Sequence, residues 1–243
     1  MMKYVVACVC ALLGTAAGIL ALMMVDRYRE QLNTADAEDA QPADGSWSIS
    51  HAATAFFVRA KSMTAKEWGL ILLAAVLVGA VALRLQNAQT EPITGGRLLV
   101  TALLLLPMMV IDWHTHRIPN ALVLTMLAAG TVFLAMEFFL TPEIFRNQLV
   151  SCILGLAGFL VLFYVMARLT RGGIGMGDVK LIAAEGWMTG FVITLASTMF
   201  SLLVCSAVAT VLLVTKKKNA NDQVPFGPFL FFGYVLSLLI CNL

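Results

Sequence analysis

Charge is what this sequence has least of. Only 12% of its 243 residues are Asp, Glu, Lys or Arg, while 60% are hydrophobic, and mean hydropathy is +0.88. A soluble domain runs nearer a quarter charged, and a disordered chain is more polar still, so both classes are excluded. Sixteen basic against fourteen acidic residues leave a net charge of +2, too little for a nucleic-acid-binding surface. Cysteine is scarce as well. Cys8, Cys10, Cys152, Cys205 and Cys241 all lie in apolar runs with no CxxC pair. That excludes a zinc ribbon or a disulfide-stapled secreted scaffold, and leaves small buried hydrophobes. There is no collagen-like period and no internal repeat.

What is present is a series of apolar runs long enough to cross a bilayer, for which about 20 helical residues are needed. The predicted fold is all-α and polytopic, with spans near residues 5–25, 68–85, 98–113, 120–140, 149–169, 191–215 and 226–243. The first is longer than a signal-peptide core and lacks a clean A-x-A site, so it reads as a retained helix. A further apolar stretch, residues 179–189, is short for a crossing and decides the topology. Short cytoplasmic loops collect Lys and Arg. With the N-terminus outside and eight spans, the short one sixth, twelve of the sixteen basic residues fall on the cytoplasmic side. These include Arg117, Arg168, Arg171, Lys180 and Lys216, Lys217 and Lys218; Lys3, Arg84, Arg97 and Arg146 fall outside. Without the short crossing the bias nearly vanishes, so eight spans are expected, with the sixth short or broken and bordering a wet cavity.

Three segments follow: residues 1–25 as the first helix, 26–67 as a cytoplasmic acidic loop, and 68–243 as the membrane core. The loop carries Asp26, Glu30, Asp36, Glu38, Asp39 and Asp44 among Gln, Ala and Pro and reads as solvated and little structured. Residues 49–57 are a candidate for a surface helix.

Most acidic residues lie in loops. Asp112 and Asp178 do not: one closes the third span and the other opens the short sixth. In the eight-span topology both lie at cytoplasmic helix ends, at comparable depth. Ionisable groups at membrane depth are costly and are functional candidates by default, although a helix-end aspartate also serves as a cap or simply meets solvent. Asp178 ends the run Arg171-Gly172-Gly173-Ile174-Gly175-Met176-Gly177, whose glycines give an open, strand-like segment that another backbone can approach. A phosphate-binding loop needs a preceding strand and no carboxylate in the cradle. Asp112 is followed by a tight hairpin containing His114, His116 and Pro119. Two carboxylates within hydrogen-bonding range share a proton, so one can take a proton from water while the other polarises a carbonyl.

Three motifs give this pairing a family context. The run Gly175-Met176-Gly177-Asp178-Val179-Lys180-Leu181, continuing through Ala183, Gly186 and Gly190, resembles the signature of the type IV prepilin peptidases, GxGD aspartic proteases of the bacterial inner membrane. Asp112 followed by Arg117-Ile118-Pro119-Asn120, and Pro225-Phe226-Gly227-Pro228-Phe229-Leu230, agree in order, so the resemblance covers residues 97–243. It implies a catalytic pair, Asp112 and Asp178, at a cytoplasm-facing site, acting on prepilins or pseudopilins and needing no cofactor or metal. The bilayer is then a partner, with pilus or secretion machinery beyond it, and no nucleic acid. It also implies supporting or substrate-binding roles for Gly175, Gly177, Lys180, Pro225, Gly227 and Pro228. Presenilin-like proteases share GxGD, but Ile111 stands where they carry tyrosine and no Pro-Ala-Leu motif is present.

Other polar residues have plainer readings. His114 and His116, two apart, point to different helix faces and lack a third ligand, so no metal site is expected. Lys180 either serves the carboxylates or a substrate or merely snorkels to the interface. Glu185 has no cation one turn away and implies a wet cavity or a pairing across spans, whereas Glu137 reads as a rim residue. A small proton- or cation-coupled transporter using the same aspartates, with a broken span as gate, is the alternative, and a non-catalytic assembly factor a third. Many members of the family also methylate the new N-terminus through a zinc-bearing insert between the first two spans. Residues 26–67 contain no cysteine and one histidine, His51, too few for the four ligands of a structural zinc site, so this is expected to be a short form without methyltransferase activity.

Overall fold

The computed structural model describes residues 65–87, 91–116, 118–170, 174–215 and 225–241. Among them are seven helices and no strand: α1 Ala65–Asn87, α2 Pro92–Thr115, α3 Asn120–Leu140, α4 Pro142–Leu169, α5 Met176–Thr189, α6 Phe191–Val214 and α7 Gly227–Ile240. The expected first span, the loop up to residue 64, the surface helix at 49–57, Arg117, Arg171, Gly172, Gly173 and Lys216, Lys217 and Lys218 lie outside the described residues.

Sequence chemistry sets the helix boundaries. Pro92, Pro142 and Pro228 each stand in a first turn, where the missing N–H costs nothing. His116, in the left-handed conformation at φ 51°, closes α2 with its N–H on the Asp112 carbonyl at 2.9 Å. Gly190, at φ 87°, is the whole connection between α5 and α6; a side chain would be strained there.

Four helices, α2, α3, α4 and α6, are long and apolar enough to cross a membrane. Length and centrality run in opposite directions. The 28-residue α4 buries only Cys152, Gly155, Phe159, Phe163 and Ala167, one stripe at helical spacing, and turns Leu160, Val161 and Leu162 outward. This is the pattern of a helix with lipid on most of its surface. The 14-residue helices α5 and α7 are the core: α5 buries every residue from Val179 to Thr189 except Lys180 and Trp187. Helices α2, α3, α4 and α6 all pack on α5, while α1, α2 and α6 pack on α7. Small residues permit this. A Cβ on Gly155 of α4 would lie 2.5 Å from the Gly186 carbonyl oxygen of α5, and one on Gly130 of α3 would lie 2.7 Å from Trp187.

At 1.5 Å per residue α5 is about 21 Å long, shorter than the roughly 30 Å hydrocarbon core. Its far end turns at Gly190 beside Ser151, whose Oγ accepts the Phe191 N–H at 3.0 Å. Ser151 is nine residues into α4, so the turn lies about 13 Å inward from where α4 starts. The short apolar stretch is therefore the first arm of a helical hairpin that turns within the depth of α4. Seven described helices accord with an all-α polytopic chain, and the orientation of the N-terminus belongs to residues outside the description.

Glu137 and Arg97 differ from expectation. Glu137 is a core residue rather than a rim residue: at 1% exposure it forms a buried ion pair with Arg97, itself 1% exposed, at 3.3 Å. Arg97 is accordingly not a loop charge, since it lies within the first two turns of α2 and faces α3. The pairing spans forty residues, so local periodicity does not reveal it. Glu185 is fully buried, and neither carboxyl oxygen has a hydrogen-bond partner among the described residues; Ser197 of α6 lies within reach of it.

Removing one member of a buried pair strands the other charge, at about 3–5 kcal/mol, whereas replacing both with apolar residues is often neutral. Glu137→Leu is expected to lower the melting temperature in detergent sharply, and the double change Arg97→Met/Glu137→Leu to recover most of the loss. A Glu137→Leu protein that melts like the unaltered one would remove the pair from the account.

Candidate active site

Asp112 sits in the last turn of α2. Its neighbours there are satisfied locally: Thr115 Oγ1 donates to the Ile111 carbonyl at 2.8 Å, and His114 Nδ1 lies 2.9 Å from the Val110 carbonyl. The Asp112 carboxylate instead turns inward, at 4% exposure, where Oδ2 accepts the backbone N–H of Gly227 at 2.7 Å. Gly227 is the first residue of α7, so Asp112 occupies the positive end of that helix and takes one of its unpaired N–H groups. Glycine is required for the approach. A Cβ at 227 would lie 2.9 Å from the Asp112 Cβ and 3.0 Å from Oδ2. The half-buried Pro225 and buried Pro228 bracket this N–H, and Pro228 leaves no donor of its own.

Asp178 is the third residue of α5, whose N-cap is Gly175 in an extended conformation, φ −67° and ψ 137°. The carboxylate folds back towards the Gly175 backbone, where the acidic half of a capping box stands. Asp178 is thus not the cap itself, and only Gly175 and residues before it remain outside the helix; Met176 and Gly177 belong to its first turn. Gly175 gives room for the fold-back, since a Cβ there would lie 3.0 Å from Asp178 Oδ2. Gly177 gives room for the hairpin between α2 and α3: a Cβ there would meet Ile118 at 3.4 Å. Lys180 Nζ donates to Asn120 Oδ1 at 3.2 Å.

A fold-back cap is by itself structural. What distinguishes Asp178 is a second carboxylate, that of Asp112, within electrostatic range. Two carboxylates that come within hydrogen-bonding distance titrate as a unit and share a proton, the state in which a pair serves as base and acid together. His116 is the basic group within range of Asp112. Helices α2, α5 and α7 thus bring Asp112, Asp178, Gly175, Gly177, Gly227 and the two prolines to one end of the bundle, and Lys180 borders them. No group of three or more His, Cys, Asp or Glu side chains that could hold a metal forms among the described residues. Sequence reasoning assigned no role to Cys205, which lies within range of Asp178. Its spacing on α6 carries no signal, and only the hairpin at Gly190 brings it there.

Comparison with known proteins finds similar sequences. Residues 99–214, which include both aspartates, match the type IV leader peptidase family. The chain is 29% identical over 136 residues to a prepilin leader peptidase/N-methyltransferase of Bacillus subtilis, covering 56% of this chain and 52% of that protein. A counterpart from Burkholderia pseudomallei is 33% identical over 138 residues, 55% of this chain and 43% of its own length. Leader peptidase HopD of Salmonella typhimurium is 29% identical over 121 residues, 49% of this chain and 76% of its own length. The matches thus span about half the length of the peptidase/N-methyltransferases. No solved structure matches the chain.

The contact at Gly227 is the tightest in the site and gives a direct test. Gly227→Ala forces a methyl group against Asp112, and overpacking of this kind costs about 1–3 kcal/mol. The expected result is a lower melting temperature in detergent; an unchanged one would mean that α7 and Asp112 are not in contact.

Proposed function

We propose that this chain, which resembles the type IV leader peptidases through residues 99–214, is a membrane-embedded aspartic endopeptidase that removes the leader from type IV prepilins or pseudopilins. The observation that carries the reading is the pair Asp112 and Asp178: two carboxylates within electrostatic range at one end of the bundle, Asp112 held by the Gly227 N–H and Asp178 folded back on Gly175. The ionised member takes a proton from water as the oxygen attacks the scissile carbonyl, and the protonated member donates to the carbonyl oxygen. Collapse of the tetrahedral intermediate returns a proton to the leaving amine and restores the shared-proton state. The active end faces the cytoplasm of a bacterial inner membrane in this reading, supported by the concentration of Lys and Arg in loops at that end.

The competing reading, proton- or cation-coupled transport, draws on Glu185, fully buried two turns along α5 from Asp178. The two readings separate on one variant pair. Asp112→Asn and Asp178→Asn are each expected to reduce cleavage of a co-expressed prepilin at least about 100-fold, the usual scale of a lost acid–base group, at unchanged protein level. Full cleavage by either one sinks the dyad. The cleavage rate of the unaltered protein is expected to be bell-shaped in pH. It falls on the acid side as the second carboxyl gains a proton and the base is lost, and on the alkaline side as both ionise and the acid is lost.

Cleavage without methylation is the second part of the proposal, resting on the absence of cysteine from residues 26–67. Mass spectrometry of a substrate processed by this protein alone, with S-adenosylmethionine supplied, is expected to show an unmodified new N-terminus. An added mass of about 14 Da, one methyl group, would contradict it.

A further inference from the structure

The hydrogen bond from Lys180 to Asn120 joins residues sixty apart, and each stands next to one half of the site. Lys180 follows Asp178 by two residues on α5; Asn120 opens α3, immediately after the hairpin that leaves Asp112. Gly177 against Ile118 is a second contact between the same two segments. Helices α2 and α5 meet over far less of their length than α3 and α5 do, so α3 is one of the elements that link the two aspartates. A further side-chain bond joins α3 and α5 away from the site, Trp187 Nε1 to Thr131 Oγ1 at 3.2 Å. The partner of Lys180 is a neutral amide. A carboxylate there would place a third negative charge beside the pair, whereas asparagine fixes the ammonium without one.

We infer that Lys180 and Asn120 are a positioning pair that sets the register of Asp178 against Asp112 across the junction of α3 and α5. The inference rests on the peptidase reading for its kinetic consequences, not for the contact itself. Misplacement of catalytic groups by about 1 Å can cost on the order of 100-fold in rate, and a single exposed bond shifts them by less. Lys180→Met and Asn120→Ala are each expected to lower kcat for prepilin cleavage about 10-fold, with KM held within about twofold. The double variant is expected to be no slower than the worse single one, because both changes remove one interaction. Lys180→Arg, which still donates to Asn120, is expected to restore most of the rate. Trp187→Phe, which removes the distal bond, is expected to keep kcat within about twofold.

A raised KM at full kcat would mean that Lys180 touches substrate directly, and additive losses or unchanged rates would mean that the pair does not act together; each overturns the inference. Amide exchange judges the contact independently of activity. Lys180→Met is expected to speed exchange at residues 118–123, and unchanged exchange overturns the pair even if cleavage is never observed. Conversely, no prepilin cleavage by the unaltered protein, together with faster exchange in Lys180→Met, would discard the peptidase reading and leave the contact standing.

Discussion

A carboxylate carried on a membrane helix and turned away from water needs hydrogen-bond donors, because unpaired charge in a desolvated site is among the costliest features a protein can hold. Asp112 meets that demand with the backbone N–H of Gly227 at 2.7 Å. Much of the bundle is arranged around this bond. It requires a helix to begin at the depth of Asp112, which is where α7 starts. It also requires no Cβ at residue 227 and no competing donor at residue 228. Asp178 solves the same problem within its own chain segment by folding back on Gly175. Both solutions use helix N-termini, whose free N–H groups and positive field favour negative charge.

Helices α5 and α7, which begin beside the two aspartates, are short, and short helices cannot hold themselves in lipid. The structure answers by surrounding them. Helices α5 and α7 are buried among longer helices, and contacts such as Gly155 against Gly186 let backbones approach to a distance no larger residue allows. Lipid offers no hydrophobic incentive for helices to associate, so close packing of this kind supplies much of the cohesion. The long helices α3, α4 and α6 in turn leave most of their surface exposed for lipid. Tyr234 of α7 donates to the Leu98 carbonyl at 2.9 Å, and Arg97 pairs with Glu137, so α2, α3 and α7 are also tied far from the aspartates.

Much of this was legible in the sequence. The apolar runs marked the helices, and α3 begins and ends where its pattern predicts, between Pro119 and Pro142. The aspartates stood out because charge is so rare in the apolar core. Glycines at 175, 177 and 227 signalled close approach; at 175 and 227 a neighbour stands where a side chain would crowd it, whereas a Cβ at 177 would only touch Ile118. What was not legible depends on contacts between distant segments. Glu137 looked like a rim residue because its partner is forty positions away. The role of Asn120 was hidden because Lys180 is brought to it only by the packing of α5 on α3.

The central claim is that Asp112 and Asp178 face each other at the cytoplasmic end of the bundle. Cysteines placed at 112 and 178, in a background without the five native ones, test it most directly. A short membrane-impermeant bifunctional thiol reagent, applied to inside-out vesicles, is expected to link the two positions within one chain, while the same reagent applied to right-side-out vesicles leaves them unlinked. Single-cysteine controls that react while the double variant never cross-links would show that the two positions do not meet, and linkage only from the opposite side would place the site on the wrong face.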